Sequence, residues 1–352
     1  MSELRCAIVG AGVLGRTIAL ALHKAGCTVE IFDPRPDGGA STASRAGGML
    51  APDSELESAE PIVYELGIEG LDLWRSLSDE LGEHGFSIGW VNRGSLIVAH
   101  PQDRPQWLEL TEKISKRGKN TRYEILHPQS VEPQLDAKIS EGLYLPDEAH
   151  VSPSDFMRAT SGFLLEHDIP WHHVEIHDIN SRNHKKTVFK NFDWIIDSRG
   201  IGAKNEIKNL RGVRGEAVLV HAPEVCLTRP VRVVHPRYAL YIVPRTHQNY
   251  YLGATQIESD DESPIAVRST LEILSAAFAI DPKFAEARIL QSMVGIRPAF
   301  PDNAPFIRQK GELLQVNGLF RHGFLLAPAV AKRVVKLISN NEKEHRSISL
   351  LG

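Results

Sequence analysis

The sequence predicts an α/β chain in which a parallel sheet layered with helices is interleaved with an α+β region built on an antiparallel sheet. Three observations carry this. The N-terminal run "RCAIVGAGVLGRTIALALHKAGCTVEIFD" reads as strand, glycine turn, helix and strand. Residues 231–254 hold three strand-like segments broken by His-Pro-Arg and by Thr-His-Gln-Asn, as in a meander of antiparallel strands. The chain then closes with a strand, "ELLQVNGL", a turn and a helix from Pro328 to about residue 339.

Taken in order, Arg5 to Val9 is a short apolar run suited to a buried parallel strand. Residues 13–25 carry small and apolar side chains that pack a helix onto it, and Cys27 to Phe32 make the second strand. Residues 34–50, rich in Gly and Ser, form a loop. From Pro61 to about Gly82 the spacing of Val63, Leu66, Leu73 with Trp74, Leu77 and Leu81 suits an amphipathic helix. "GSLIVAH" (94–100) reads as a strand. Ser152, Pro153 and Asp155 supply an N-cap, an N1 proline and an acidic N3 residue for the next helix. "WHHVEIHDI" and "WIIDSRG" read as strands, and "PIAVRSTLEILSAAFAI" as a helix. Parallel pieces thus lie at both ends. The expected first domain is discontinuous, comprising 1–90, 146–215 and 291–352, with 91–145 and 216–290 forming the second.

A chain of 352 residues can bury a substantial core, and 42% hydrophobic with 24% charged residues is the balance of a soluble globular protein. A net charge of −4 gives no basic footprint for nucleic acid or for a membrane surface. No apolar run is long enough to span a bilayer, and the N-terminal run carries Glu3 ahead of it and glycines within it, unlike a signal peptide. A cytoplasmic location is expected. Cys6, Cys27 and Cys226 have no CxxC spacing and suggest no disulfide framework. His172, His173 and His177 cluster, but on a strand they do not all share one face and no carboxylate or thiolate accompanies them at ligand spacing, so no metal is expected.

Gly10, Gly12 and Gly15 form a GxGxxG motif between strand and helix. The first glycine permits the tight turn, the second lets a pyrophosphate approach the backbone, and the third lets helix pack on strand. Asp33, at the end of the second strand, can accept the hydroxyls of an adenosine ribose. NAD and FAD share that half, so the motif leaves the choice between them open.

Distant segments narrow it. The runs "VGAGVLG", "GGASTASRAGGMLAP", "GVRGE", "LYIVPR", "YLGAT", "GIRPAFPDNAPFI" and "GLFRHGFLLAPA" occur in one order over nearly the whole chain. In these the chain resembles the amino-acid oxidase family of flavoproteins, and within it the glycine oxidases of thiamine biosynthesis. The resemblance implies a Rossmann-like FAD-binding domain beside the α+β substrate domain. It also implies oxidative deamination of glycine or another small amino acid by molecular oxygen, giving a 2-oxo acid, ammonia and hydrogen peroxide for use in thiamine thiazole synthesis.

By the same resemblance, FAD contacts fall on Val13 and Leu14 after the glycines, on Asp33 and Pro34, and on Ser41, Thr42, Gly47, Gly48 and Met49. Ile176 contributes backbone contacts at the adenine end. Leu319, Phe320, Arg321, His322, Gly323, Phe324 and Leu325 run along the isoalloxazine. Arg45 suits a pyrophosphate partner or an exposed loop arginine equally well. Arg297 and Tyr241 clamp the substrate carboxylate, with Arg321 also at the substrate. A guanidinium presents a planar fork that fits a carboxylate, and a phenol can add one hydrogen bond. Apart from their motifs, the two arginines would read as surface ion-pair residues and Tyr241 as a half-buried strand residue.

Gln256 stands where glycine oxidases often carry Met, which leaves substrate preference open. No cysteine follows Cys226, so the covalent flavin link of the related sarcosine oxidases is not expected and FAD is expected to bind non-covalently. The competing readings are a broader D-amino-acid oxidase, a sarcosine or D-amino-acid dehydrogenase using another electron acceptor, and a non-catalytic flavin-binding module. The last has no reason to carry a carboxylate clamp. Oligomeric state is left open.

Overall fold

The computed structural model describes residues 4–39, 41–56, 59–117, 121–180, 187–235, 239–340, 345–348 and 350. Part of the expected His-Pro-Arg break, residues 236 and 237, lies outside them.

In chain order, β1 (Arg5–Val9), α1 (Val13–Lys24) and β2 (Thr28–Phe32) make the N-terminal unit. They are followed by β3 (Met49–Leu50), α2 (Pro52–Glu55), α3 (Pro61–Glu83), β4 (Ser95–Ala99) and α4 (Arg104–Arg117). Next come β5 (Glu124–Leu126), β6 (Gly142–Leu145), β7 (Ala149–His150), α5 (Pro153–Glu166), β8 (Trp171–His172) and β9 (Trp194–Asp197). The middle of the chain holds β10 (Arg211–His221), β11 (Val231–Val234), β12 (Ala239–Pro244), β13 (Asn249–Gly253), β14 (Ile257–Glu258) and α6 (Val267–Ile280). It ends with β15 (Arg288–Ala299), β16 (Phe306–Lys310), β17 (Leu313–Asn317), α7 (Gly323–Asn340) and β18 (His345–Ile348).

The first sheet has the order β18-β16-β17-β9-β1-β2-β8, parallel from β17 to β8 and antiparallel at the β16 and β18 edge. The central strands β1, β9 and β17 are buried on both faces along nearly their whole length, which is why β1 and β9 read as apolar runs and not as alternating ones. Helices α1, α3, α5 and α7 cover one face, and Ile8, Ile18, Ile31, Ile196 and Leu314 are sealed between. The second sheet follows β14-β10-β13-β12-β11-β4-β6-β5, with β15 paired to β10. It is antiparallel except for β4 with β11. The expected domain borders at 215/216 and 290/291 fall inside β10 and β15, which pair with each other along their length in the second sheet.

Two elements differ from expectation. The strand expected over "WHHVEIHDI" is confined to Trp171–His172, where it pairs with β2. The last helix starts at Gly323, with Pro328 inside it, not at Pro328. A proline has no N–H to give the carbonyl four residues back, here that of Phe324. The indole of Trp74 supplies the missing donor, with Nε1 donating to Phe324 O at 2.6 Å while its ring stacks on the Phe324 ring. A buried tryptophan from α3 thus lets α7 begin early, and that start is what presents residues 319–324 to the cleft between the sheets.

Candidate active site

A cleft of about 1090 Å³ runs from the β1–α1 turn to the floor made by β10, β13 and β15. That exceeds the usual size of a drug-sized pocket and suits an extended ligand. At its first end Gly10 adopts a left-handed φ of 92°. A Cβ on Gly15 would lie 1.9 Å from the Gly10 carbonyl oxygen, so Gly15 packs helix on turn and does not line the cleft. A Cβ on Gly12 would meet nothing within 4 Å. Gly12 is also the N-cap of α1 and no side chain caps the helix there, which leaves the first-turn N–H groups facing the cleft.

Asp33 closes this end. One carboxylate oxygen accepts from Ala11 N and the other from Arg35 N, both at 2.8 Å, and its remaining lone pairs face the cleft. The turn is braced by the fully buried Arg16, whose guanidinium donates to Ala11 O at 2.9 Å, Pro36 O at 2.6 Å and Ser161 Oγ at 2.7 Å. Burial among neutral acceptors lowers its pKa to about 10. Ile176 is fixed by Arg199, which donates to its carbonyl at 2.9 Å while paired with Asp197 and Glu206.

The loop over residues 41–49 forms one wall. Thr42 Oγ1 donates to Ile296 O at 3.1 Å and Arg45 donates to Val294 O, so both tie the loop to β15. Arg245 donates to Gly47 O at 2.6 Å. Gly48 has φ 67°, and a side chain there would strike Val151 O. Val13, Leu14, Pro34, Ser41 and Met49 also line the cleft. The uncapped helix end, the open face of Gly12 and the Asp33 carboxylate beside them fit the ADP half of a dinucleotide such as FAD.

At the other end stand Tyr241 on β12, Arg297 on β15 and Arg321 in the turn before α7. Leu319, Phe320, Gly323 and Phe324 line the same end, whereas His322 and Leu325 point away. Leu325 packs against Gly67, and His322 is buried on Glu55. Glu55, on α2, is the residue that sequence reasoning missed. Its Oε2 accepts from Arg321 Nη2 and lies 2.9 Å from His322 Nε2, and its Oε1 is 3.4 Å from the Tyr241 hydroxyl. Burial alone would raise its carboxyl, but Arg321 and His322 outweigh it and hold the acid well below the usual carboxylate range.

Arg297 is placed differently. Its Nη1 donates to the Thr255 carbonyl at 2.9 Å, and no carboxylate partner engages it among the described residues. Burial pushes its pKa down, the expected direction for a cation without a counter-ion. Burial likewise raises the Tyr241 phenol and keeps it a donor. Gln256 lies exposed at the cleft mouth. Gly215, Gly253 and Gly295 line the floor between these groups, and the Arg297 guanidinium lies over Gly215. No group of three or more possible metal-ligating side chains is present among the described residues, and no helix among them is long and apolar enough to cross a membrane.

The chain is similar to known proteins over nearly its whole length. The DAO family model, described as FAD dependent oxidoreductase, matches residues 5–337. A Rhizobium etli protein that carries the name thiamine biosynthesis oxidoreductase ThiO is 36% identical, over 98% of this chain and 100% of its own length. A glycine oxidase of Geobacillus kaustophilus is 27% identical over 96% of this chain and 93% of its own. The crystal structure of glycine oxidase from Geobacillus kaustophilus superposes with a TM-score of 0.79 at 25% identity, covering 98% of this chain and 97% of that one.

Proposed function

The chain belongs to the DAO family of FAD-dependent oxidoreductases, and from that premise we propose that it oxidatively deaminates glycine or another small amino acid. The observation that carries the proposal is Arg297: a buried guanidinium with no carboxylate partner among the described residues, beside a floor of glycines. An isolated buried cation is costly, and a bound anion offsets that cost.

A substrate carboxylate docks on the Arg297 fork, and the Tyr241 hydroxyl donates a further hydrogen bond to it. Glu55 already balances Arg321, so of the two arginines at this end of the cleft Arg297 is the one that can take up the substrate carboxylate. Gly253 and Gly295 leave the floor beside Arg297 without side chains, which gives a small substrate room there. When bound, FAD supplies the hydride acceptor and passes the electrons to oxygen, giving hydrogen peroxide. The clamp orients the Cα–H, and no side-chain base is needed once the amine is neutral. Water then hydrolyses the substrate imine to the 2-oxo acid and ammonia. The relatives named thiamine biosynthesis oxidoreductase ThiO and glycine oxidase support this substrate class and a role in thiamine biosynthesis.

The test is a peroxide-coupled assay over glycine, sarcosine and both alanine enantiomers, run on protein whose FAD content is measured after acid precipitation. Peroxide from at least one of them, with FAD in the supernatant, is the expected result. Amino-acid oxidation detectable only with an artificial acceptor would make the protein a dehydrogenase. Inactivity toward all four would remove the proposal.

A further inference from the structure

The antiparallel register of β10 and β15 sets Gly215 opposite Gly295 and Val213 opposite Arg297. Residues two apart on one strand share a face, so Arg297, Gly295, Gly215 and Val213 all belong to the face that floors the cleft. The Arg297 side chain crosses that face diagonally and its guanidinium lies directly over Gly215. A Cβ at residue 215 would come within 2.3 Å of Nη2, 2.5 Å of Cζ and 2.9 Å of Nη1. The residue has no left-handed φ, so it is the space, not the backbone, that calls for glycine.

We propose that Gly215 is a positioning residue: the absence of its side chain makes the slot in which the Arg297 guanidinium lies, and so sets where a substrate carboxylate can bind. This rests on Arg297 being the carboxylate clamp. The atoms that a methyl group at 215 would strike are the far end of a long flexible side chain. The guanidinium therefore moves and the β10 backbone stays. Its hydrogen bond to Thr255 O holds it on one side. The way out of the slot leads into the cleft, into the volume that the carboxylate needs.

The experiment compares wild type, Gly215→Ala, Arg297→Lys, Arg297→Ala and the double variants as FAD-loaded enzymes. It uses glycine kinetics and the perturbation of the flavin absorbance by acetate, a ligand that is carboxylate and little else. For Gly215→Ala we expect bound FAD and an unchanged Tm. The glycine KM should rise about tenfold or more with a smaller change in kcat, since a misplacement of about 1 Å can cost that much or more. Acetate binding should weaken by a similar factor. In the Arg297→Lys background, which lacks the fork that collides, the same Gly215→Ala change should cost less than about threefold. Equal losses in both backgrounds, or unchanged acetate binding in Gly215→Ala, overturn the slot. If Arg297→Ala itself leaves acetate binding unchanged, the clamp assignment fails and the slot with it. Should Gly215→Ala not fold, Gly215→Ala with Arg297→Ala must fold, because the colliding group is gone. A double variant that also fails to fold refutes the proposal.

Discussion

Glu55, at the end of α2, binds both side chains of the turn that precedes α7: Oε2 accepts from Arg321 Nη2 and sits 2.9 Å from His322 Nε2. A carboxylate from the N-terminal third of the chain thus locks a C-terminal turn into the cleft wall. Its folded pKa lies below its ordinary value of 4.5. The linkage sign follows: this stabilisation is present above about pH 4.5 and is lost as pH falls below it. Glu55→Gln should therefore lower stability at neutral pH and flatten the acid limb of the stability curve. Arg321 keeps 26% of its side chain exposed, so the full cost of breaking a buried pair is discounted to about 1–3 kcal/mol. Urea midpoints at neutral pH and near pH 4 decide it; parallel pH curves for the two proteins would show that the pair contributes nothing.

On the other side of the same short helix the sign reverses. Glu148 is fully buried and accepts from Ser54 N at 2.6 Å, from Ser54 Oγ at 2.8 Å and from Ser95 Oγ. Burial, with Asp53 nearby, raises its pKa to about 8. A raised acid favours its protonated form, so its stabilisation is fully present below about pH 4.5 and is lost as pH rises through about 8. Glu148→Gln keeps a carbonyl acceptor and cannot ionise. Its urea midpoint should change less between about pH 6 and pH 9 than that of wild type. A wild-type midpoint that does not fall over that interval would show that the Glu148 proton is not held.

These two acids also mark where sequence reading ended. The βαβ unit, helix α3 and the Ser152 cap were legible because each depends on local pattern: apolar period, glycine spacing, and an N-cap that accepts from Asp155 N. The start of α7 was not, since it depends on Trp74, an α3 residue, serving the Phe324 carbonyl. Glu55 and Glu148 are ordinary acids in the sequence, and only tertiary packing makes one a counter-ion and the other a proton holder. Gly215 belongs to the run "GVRGE", yet the reason for a glycine there is the guanidinium of a residue on another strand.

Asp33 separates cofactor affinity from turnover. It accepts from Ala11 N and Arg35 N and lies at the opposite end of the cleft from Arg297. Asp33→Ala removes a charged acceptor worth about 1.5–3 kcal/mol to a ribose hydroxyl, or roughly a tenfold to hundredfold rise in the FAD Kd. With FAD saturating, kcat should stay within about twofold of wild type. A large fall in kcat at saturating FAD would place Asp33 in the chemistry, contrary to the geometry.

Arg297 carries the heaviest prediction. Truncating one partner of a buried, hydrogen-bonded charge pair costs about 3–5 kcal/mol, and each 1.4 kcal/mol is about tenfold. Arg297→Ala should therefore lower kcat/KM for the amino acid by roughly a hundredfold to a few-thousandfold while FAD stays bound. Arg297→Lys should restore only part, because an ammonium keeps the charge and loses the fork. Tyr241→Phe removes one hydrogen bond to a charged group, about 1.5–3 kcal/mol, and should be the milder change. Arg321 offers the internal control. Its guanidinium already answers to Glu55, whereas among the described residues Arg297 is hydrogen-bonded to a carbonyl and to no carboxylate, so the two arginines should differ in what their loss affects. Arg321→Ala should act mainly on stability, through Glu55, and Arg297→Ala mainly on carboxylate binding. Acetate titration of the flavin spectrum reads the second and urea unfolding the first. If acetate binding survives Arg297→Ala and is lost in Arg321→Ala, the clamp belongs at the turn before α7 and the two arginines exchange roles.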